Sequence, residues 1–479
     1  MTRMKSRAAS SASSSTDSGL TPVRTDFLRG LFPGDALLTA PEELAPFGTD
    51  ASRLAAMPWA VVRPESAEQV RELLRWADAE RVPIIPRARG TNRVGSAVPR
   101  GGGVVVSMLR MNRILEIDPR DFTAVVEPGV ITGDLQAAAR AEKLFYPPDP
   151  SSARISTVGG NVSTCAGGLR AVKYGVTRDY VLGMDAVLPG GELLRLGGRS
   201  HKDVVGLDLV RLFVGSVGCL GLMTRIILKL LPLPAASASL LAGYDSLHAA
   251  LEGAQAVFRA GILPTAMEFM DRNTMRALTE EFRERGGVPW PDGTEAALLL
   301  KIDGSAEGLA VDLEMLRGVV GGTRPKFLQA GTGDAEERLW EVRRAVSPAA
   351  FRLRPDKMGE DIAVPRGRTT DAVERIHALA AERDLCILCF GHLGDGNIHV
   401  SIMHDAEDAA ETARAHAAKE IVFRIALELG GTISGEHGIG LAKKAFVPFQ
   451  LGEAERAVMA RVKAAFDPHG IMNPGREPW

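Results

Sequence analysis

Two short histidine motifs carry the residue types best suited to chemistry. Gly391-His-Leu-Gly-Asp-Gly-Asn-Ile-His399 ends one strand in a glycine-punctuated turn and returns as another, so His392 and His399 can converge although seven residues apart. Ser434-Gly-Glu-His-Gly-Ile-Gly440 adds Glu436 and His437. Two imidazoles and a carboxylate suit a divalent cation of the Zn, Mn or Fe kind, with coordination positions left open. Neighbours on an extended chain point to opposite sides, so Glu436 and His437 cannot both face such a metal equally. A cation so held lowers the pKa of a hydroxyl that binds it, and a neighbouring imidazole can then take the proton. One such histidine alone reads as a satisfied loop or core residue; both motifs together point to a site.

A second group of positions offers backbone rather than side chains. Arg87-Ala-Arg-Gly-Thr-Asn-Arg-Val-Gly95, Glu127-Pro-Gly129, Tyr146-Pro-Pro-Asp-Pro-Ser-Ser152 and Thr157-Val-Gly-Gly-Asn-Val-Ser-Thr-Cys-Ala-Gly-Gly168 are rigid or glycine-rich loops. Glycine lets a pyrophosphate approach backbone amides, and proline holds a loop open beforehand. Gly makes up 51 of 479 residues, about 11% against a background of roughly 7%. Each loop alone is a turn, but the set predicts a dinucleotide site. It is not the nicotinamide kind, because Gly215-x-x-Gly218-x-x-Gly221 has the wrong spacing and no strand-loop-helix context.

These residues need elements to hold them. Ser66, then Val70, Leu73, Leu74 and Ala77 with Gln69, predict a capping box and a helix over 67–80. Short strands follow at Val82–Pro86, Val104–Met108, Ile114–Ile117 and Thr123–Val126, so 55–235 reads as mixed α+β. The apolar stretch Leu212–Ala236 contains Arg225, Lys229 and several glycines, which makes it buried strand with turns rather than a membrane span. From about 238, strand-helix-strand units recur (Leu240–Tyr244, Met267–Met270, Ala297–Ile302, Asp361–Val364, Leu385–Phe390, Ile398–Met403), predicting a sheet with helices on one face. Helices near 407–429 and 453–466 close the chain.

Fifty-seven Lys+Arg against 59 Asp+Glu leave a formal charge of −2, so no strong field draws nucleic acid or an anionic membrane. Four cysteines fit a reducing compartment. Cys386-x-x-Cys389 lies in an apolar strand where residues three apart face opposite sides, so both read as structural thiols, and no cysteine cluster suits an iron–sulfur centre. The first twenty residues, Ser/Ala-rich and acid-poor, read as a disordered tail, with a transit peptide as the alternative.

The loops above, followed by Gly168-Leu-Arg-Ala-Val-Lys-Tyr-Gly175, Asp185-Ala-Val-Leu-Pro-Gly-Gly191 and Leu212-Phe-Val-Gly-Ser-Val-Gly-Cys-Leu-Gly221, closely resemble FAD-linked oxidases and dehydrogenases of the vanillyl-alcohol-oxidase (PCMH) type, in the glycolate oxidase subunit and D-lactate dehydrogenase branch. The resemblance covers roughly 45–479. It implies a lead-in of helices at 21–54, a two-subdomain FAD-binding domain at 55–235, a ferredoxin-like α+β cap with the metal site at 236–450, and a segment 451–479 returning to the FAD domain. FAD would be non-covalent, since the 86–95 loop has no His, and would be held by Pro86, Arg87, Gly90, Thr91, Gly95, Pro148, Asp149, Ser152, Gly159, Gly160, Asn161, Thr164, Gly167, Gly221 and Asn473. Ala88, Arg89, Asn92, Ser96 and Cys165 depart from the family's usual residues. The matching ligands would be His392, His399 and Glu436, with His437 as base and Asn397 contacting substrate. Trp340-Glu-Val-Arg-Arg344 and Lys357-Met-Gly-Glu-Asp361 match segments in which an Arg and a Lys hold a carboxylate, here Arg343 and Lys357, with Arg344 as competitor.

The implied activity is oxidation of D-lactate or glycolate to the 2-oxo acid by hydride transfer to flavin N5. D-2-hydroxyglutarate remains an alternative substrate that would need a second cation. Two further readings are a flavin subunit of a membrane-associated electron-transfer complex, and a metal hydrolase if the histidine half is taken alone. Electrons would leave to an acceptor protein, an iron–sulfur partner subunit or a quinone. The protein would be cytoplasmic, free or peripheral at the inner face of the membrane.

Overall fold

The computed structural model describes residues 19–479, so the expected tail lies outside the described residues except for Gly19 and Leu20. In the first small sheet, β1 (Leu37–Leu38), β2 (Ala60–Val62), β3 (Ile84–Arg87) and β4 (Val104–Ser107) run in the order β1-β2-β4-β3. The pairings of β2 and β3 with β4 are parallel, and the Ala-Val-Val and Val-Val-Val runs lack polar alternation because both faces are buried. The lead-in at 21–54 is therefore not purely helical: Leu37 and Leu38 pair with Val62 and Val61. The helix Ala67–Glu80 buries Val70, Leu73, Leu74 and Ala77, and the Ser66 hydroxyl accepts the Gln69 N–H, a cap worth about 1 kcal/mol. Gln69 Oε1 accepts from Glu65, one residue earlier than a capping box requires.

The second sheet joins β5 (Ile114–Asp118), β6 (Thr123–Val126), β8 (Val181–Val187), β9 (Leu193–Gly197) and β10 (Leu222–Lys229) as an antiparallel β5-β6-β10-β8-β9 set, beside a two-residue ribbon of β7 (Leu144–Phe145) and β11 (Leu231–Pro232). The segment expected to be strand from Leu212 begins inside a short helix, Leu209–Phe213, before turning into β10. Residues 471–473 extend the first sheet at the free edge of β3, where the Ile84 N–H donates to Ile471 and the Asn473 N–H donates to Ile84.

The cap is one seven-stranded antiparallel sheet of β12 (Ala236–Tyr244), β13 (Ala266–Met270), β14 (Ala296–Gly304), β15 (Phe327–Gly331), β16 (Asp356–Ala363), β17 (Cys386–His392) and β18 (Asn397–His404). Its order is β15-β12-β14-β13-β17-β18-β16. The first four strands follow the ferredoxin-like arrangement, and the last three extend it. Helices cover both faces rather than the expected one. Leu247–Arg259, Ala306–Gly322, Thr369–Glu382 and Ala409–Glu428 pack on one side, Arg272–Glu284 and Asp334–Ala349 on the other. Cys389 faces the first layer and Cys386 the second. No helix of the described residues is long and apolar enough to cross a membrane.

Candidate active site

Strand register assembles the histidine cluster. Glu268 on β13 pairs with His392 on β17, Asn397 opens β18 opposite His392, and Asp361 on β16 pairs with His399 on β18. Cross-strand partners share a face, so four adjacent strands present Glu268, His392, His399 and Asp361 on one side. The loop after Thr432 then brings in Glu436 and His437. Ligand atoms of His392, His399 and Glu436 all lie within 4.8 Å of one another. His437 Nε2 stands 3.9 Å from Glu436 Oε1 and its ring stacks on His399 at 5.6 Å. Glu436 thus belongs to the cluster while His437 flanks it.

Two buried carboxylates orient the imidazoles. Glu268 Oε1 lies 2.6 Å from His392 Nδ1, which turns Nε2 toward Glu436. Asp361 Oδ1 lies 3.1 Å from His437 Nδ1, so Nε2 keeps its lone pair. Asp361 also accepts the backbone N–H groups of Gly435, Glu436 and His437 and pairs with Lys443 at 2.8 Å, which fixes the whole loop. Burial works against charge on Glu436, but His392 and its neighbouring histidines overcome it and hold the carboxyl at about 2. Burial likewise opposes charge on His392, yet Glu268 and Glu436 raise its pKa well above the usual value. Burial takes His399 down to about 3, leaving a neutral ring. The His392 imidazolium and Arg343 balance Glu436 and Glu268, and once His392 gives up its Nε2 proton, two imidazoles and a carboxylate are a donor set that fits a divalent cation.

Beside the cluster, Arg343 Nε donates to Glu268 Oε2 at 2.6 Å and its guanidinium lies 5.0 Å from the Phe390 ring. Its remaining N–H groups are available to a carboxylate. Arg344 turns outward to Glu337, which removes it as the competitor. Lys357 reaches the same helix one turn further on, donating to Ser347 Oγ at 2.8 Å, so the two expected cations meet successive turns of the Asp334–Ala349 helix. Asn397 donates its amide N–H to the Ile362 carbonyl and packs under Gly435, while its Oδ1, on the face that carries His392, is buried without a partner among the described residues.

Glu436 and His437 close one end of a cleft of about 430 Å³. Eleven of the fifteen residues expected at FAD line it: Pro86, Arg87, Gly90, Thr91, Ser152, Gly159, Gly160, Asn161, Thr164, Gly167 and Gly221. The other four stand behind its wall. Gly95 packs against Leu54 and Leu441, the Pro148 carbonyl accepts from Gln136, Asp149 pairs with Arg170, and Asn473 donates to the carbonyls of Ser96 and Val217. Glycine is required sterically at 218, where φ is +73° and a Cβ would sit 2.6 Å from the Pro86 ring, and a Cβ on Gly160 would press on Ala88 at 3.1 Å. Ser96 Oγ, in the wall, is buried without a partner among the described residues. This small-residue cradle with an unsatisfied hydroxyl fits a flat dinucleotide cofactor. Gly167 brings the cradle to within 3.2 Å of Glu436 Oε2, measured from the Cβ it lacks.

Glu268, Asp361, Ser347 and Lys443 escaped the sequence reading. The signal for Glu268 was a lone acid in the apolar strand Ala-Met-Glu-Phe-Met.

Residues 58–197 match the family described as an FAD binding domain, and residues 233–476 match the C-terminal domain of FAD linked oxidases. The chain is 42% identical to the glycolate oxidase subunit GlcD of Bacillus subtilis over 88% of its length and 89% of that protein. It is 36% identical to a D-lactate dehydrogenase of Anaerostipes hadrus, with 88% and 90% covered, and 34% identical to a D-2-hydroxyglutarate dehydrogenase of Stutzerimonas stutzeri, with 95% and 98% covered. Among solved structures, p-cresol methylhydroxylase with substrate bound shares the fold at TM-score 0.79 and 19% identity, covering 96% of this chain and 97% of that one. With both halves matched and relatives aligned along nearly their full length, the chain belongs to the FAD-linked oxidoreductases of the glycolate oxidase and D-lactate dehydrogenase family, which act on CH–OH donors.

Proposed function

We propose that this chain oxidises D-2-hydroxy acids, D-lactate or glycolate foremost, to the 2-oxo acids, with His437 as base. The observation that carries this reading is the Asp361–His437 pair at 3.1 Å beside the three-ligand cluster at the end of the glycine-walled cleft. Bound, non-covalent FAD supplies a two-electron acceptor, and a divalent cation at His392, His399 and Glu436 supplies a Lewis acid for the α-hydroxyl. His437 Nε2 receives the hydroxyl proton, and Asp361 stabilises the imidazolium that results. Arg343 holds the carboxylate with the guanidinium edge that Glu268 leaves free, which orients Cα toward the cleft. D-2-hydroxyglutarate presents the same head, so residues beyond the head decide between these acids. The relatives named as glycolate oxidase subunits support electron delivery to a partner chain, with a quinone or a separate acceptor protein as other outlets. Peripheral attachment at the inner face of the membrane would suit that delivery.

Anaerobic mixing of the purified protein with D-lactate, L-lactate, glycolate and D-2-hydroxyglutarate tests the reading. Loss of visible flavin absorbance with D-acids or glycolate, slowed by a chelator and restored by added Zn²⁺ or Mn²⁺, is expected. Retained flavin that none of these acids bleaches would overturn it. Gly167→Val adds a further check, because its side chain displaces Glu436: metal content per chain and bleaching rate are both expected to fall at least tenfold.

A further inference from the structure

The face of the cap sheet turned away from the histidine cluster carries a second group of donors. β13 and β17 pair Glu268 with His392, and three residues along the same ladder the Asp271 N–H donates to the Cys389 carbonyl at 3.1 Å. Three residues on, a strand presents its opposite face, so Asp271 and Cys389 point toward the Thr369–Glu382 helix, whose His377 meets them. One carboxylate oxygen, one imidazole nitrogen and the Cys389 sulfur all lie within 4.8 Å of one another. Asp271 and Cys389 are fully buried, whereas the His377 side chain is 31% exposed and gives a way in from solvent.

Hydrogen bonding leaves this group incomplete. Asp271 Oδ1 accepts the Thr274 N–H, as a helix cap does; Oδ2 accepts the Cys389 N–H at 2.9 Å and lies 2.7 Å from His377 Nε2. No Lys or Arg pairs with this carboxylate among the described residues. The Cys389 sulfur has no hydrogen-bond partner among the described residues, unlike those of Cys165, Cys219 and Cys386, and it stands within reach of the other two donors. Helix capping explains Oδ1 but neither the sulfur nor the imidazole. Burial, with Asp271 beside it, keeps the thiol protonated, its pKa well above the usual value. A divalent ion would take the place of that proton, which leaves to solvent, while His377 moves its ring proton from Nε2 to Nδ1. A thiolate and a carboxylate cancel a dication, so the filled site is neutral and suits burial. Sulfur, nitrogen and oxygen together select Zn²⁺ over Mg²⁺, Ca²⁺ or Mn²⁺, with water at the fourth position on the His377 side.

We propose that Asp271, His377 and Cys389 form a second, thiolate-containing zinc site that clamps β13, β17 and the Thr369–Glu382 helix together behind the histidine cluster. The clamp holds the same two strands that set Glu268 against His392, and it stands whatever hydroxy acid the chain oxidises.

The test strips holoprotein with a chelator under reducing conditions, reloads it with Zn²⁺, desalts it, and compares wild type, His377→Ala and Cys389→Ser. Zinc and flavin per chain are measured, and X-ray absorption reads the zinc neighbours. Wild type is expected to show a sulfur at about 2.3 Å from zinc. Each variant is expected to lose that sulfur signal and one zinc per chain, with flavin retained in His377→Ala, whereas His392→Ala keeps the sulfur signal. Wild type that holds no sulfur-bound zinc would overturn the site. So would a sulfur signal and zinc content that His377→Ala leaves unchanged, which would assign the metal to another cysteine. If Cys389→Ser does not fold, the partly exposed His377→Ala decides alone.

Discussion

His437→Ala is expected to retain FAD and to lose about 10²–10⁴-fold of the flavin-reduction rate. The side chain closes the cleft at one end but contributes little to its walls, which come mainly from the loops at 86–97, 150–167 and 217–221. What disappears is the proposed acceptor for the hydroxyl proton. Nδ1 is committed to Asp361 and Nε2 faces the cluster, and no other imidazole near it is free of the metal ligand set among the described residues. Stopped-flow reduction with D-lactate, alongside flavin content, measures both halves of the expectation. Wild-type reduction by this variant would show that the base lies elsewhere.

Asp361→Asn has the largest expected effect on stability. The carboxylate is fully buried, receives three backbone N–H groups and pairs with Lys443, itself nearly inaccessible. An amide of the same shape must turn its NH₂ toward either the loop amides or the ammonium, and it leaves Lys443 with Glu360, at 3.6 Å, as its carboxylate partner beside the backbone carbonyls of residue 361 and Ile433. Removing one partner of a buried pair costs about 3–5 kcal/mol. The pH dependence has a definite sign. Burial would raise the Asp361 pKa, but Lys443 and His437 outweigh it and hold the folded value well below the ordinary one. A depressed folded pKa gives stability that is full above the unfolded value of about 3.9 and disappears as pH falls toward the folded value. Urea unfolding of both proteins should therefore show the full difference at pH 7 and a shrinking one only below about pH 4. A difference that is constant down to pH 3 would separate the stability of the loop from the charge on Asp361.

The motifs of the candidate site were legible because each is short and self-contained: a hairpin turn returns His399 to His392, and one loop supplies Glu436 and His437 together. Their supports were not legible. Glu268 and His392 are separated by 124 residues, and only strand order makes them neighbours. Nothing local in Lys357-Met-Gly-Glu-Asp361 distinguishes the acid that faces His437 from Glu360, which faces Lys419 on the other side of the sheet. The two-sided cover of the cap had a visible sign, the unbroken buried run Ala296–Leu300 in β14, because a strand with one wet face would alternate. Gly95, Pro148, Asp149 and Asn473 share the character of a cofactor loop without touching the cleft, since the same small and polar residues that cradle a ligand also brace loops from behind.

The strand that carries Pro86 and Arg87 is completed along its edge by residues 471–473, and Asn473 ties the neighbouring loop at Ser96 across 377 positions of chain. During translation at about 5–20 residues per second, roughly 20–75 s separate the emergence of these two pieces. The nascent cradle has an unpaired edge for all of that time, so its completion waits on residues 471–473, and a nick just before residue 471 would be felt first as lost flavin.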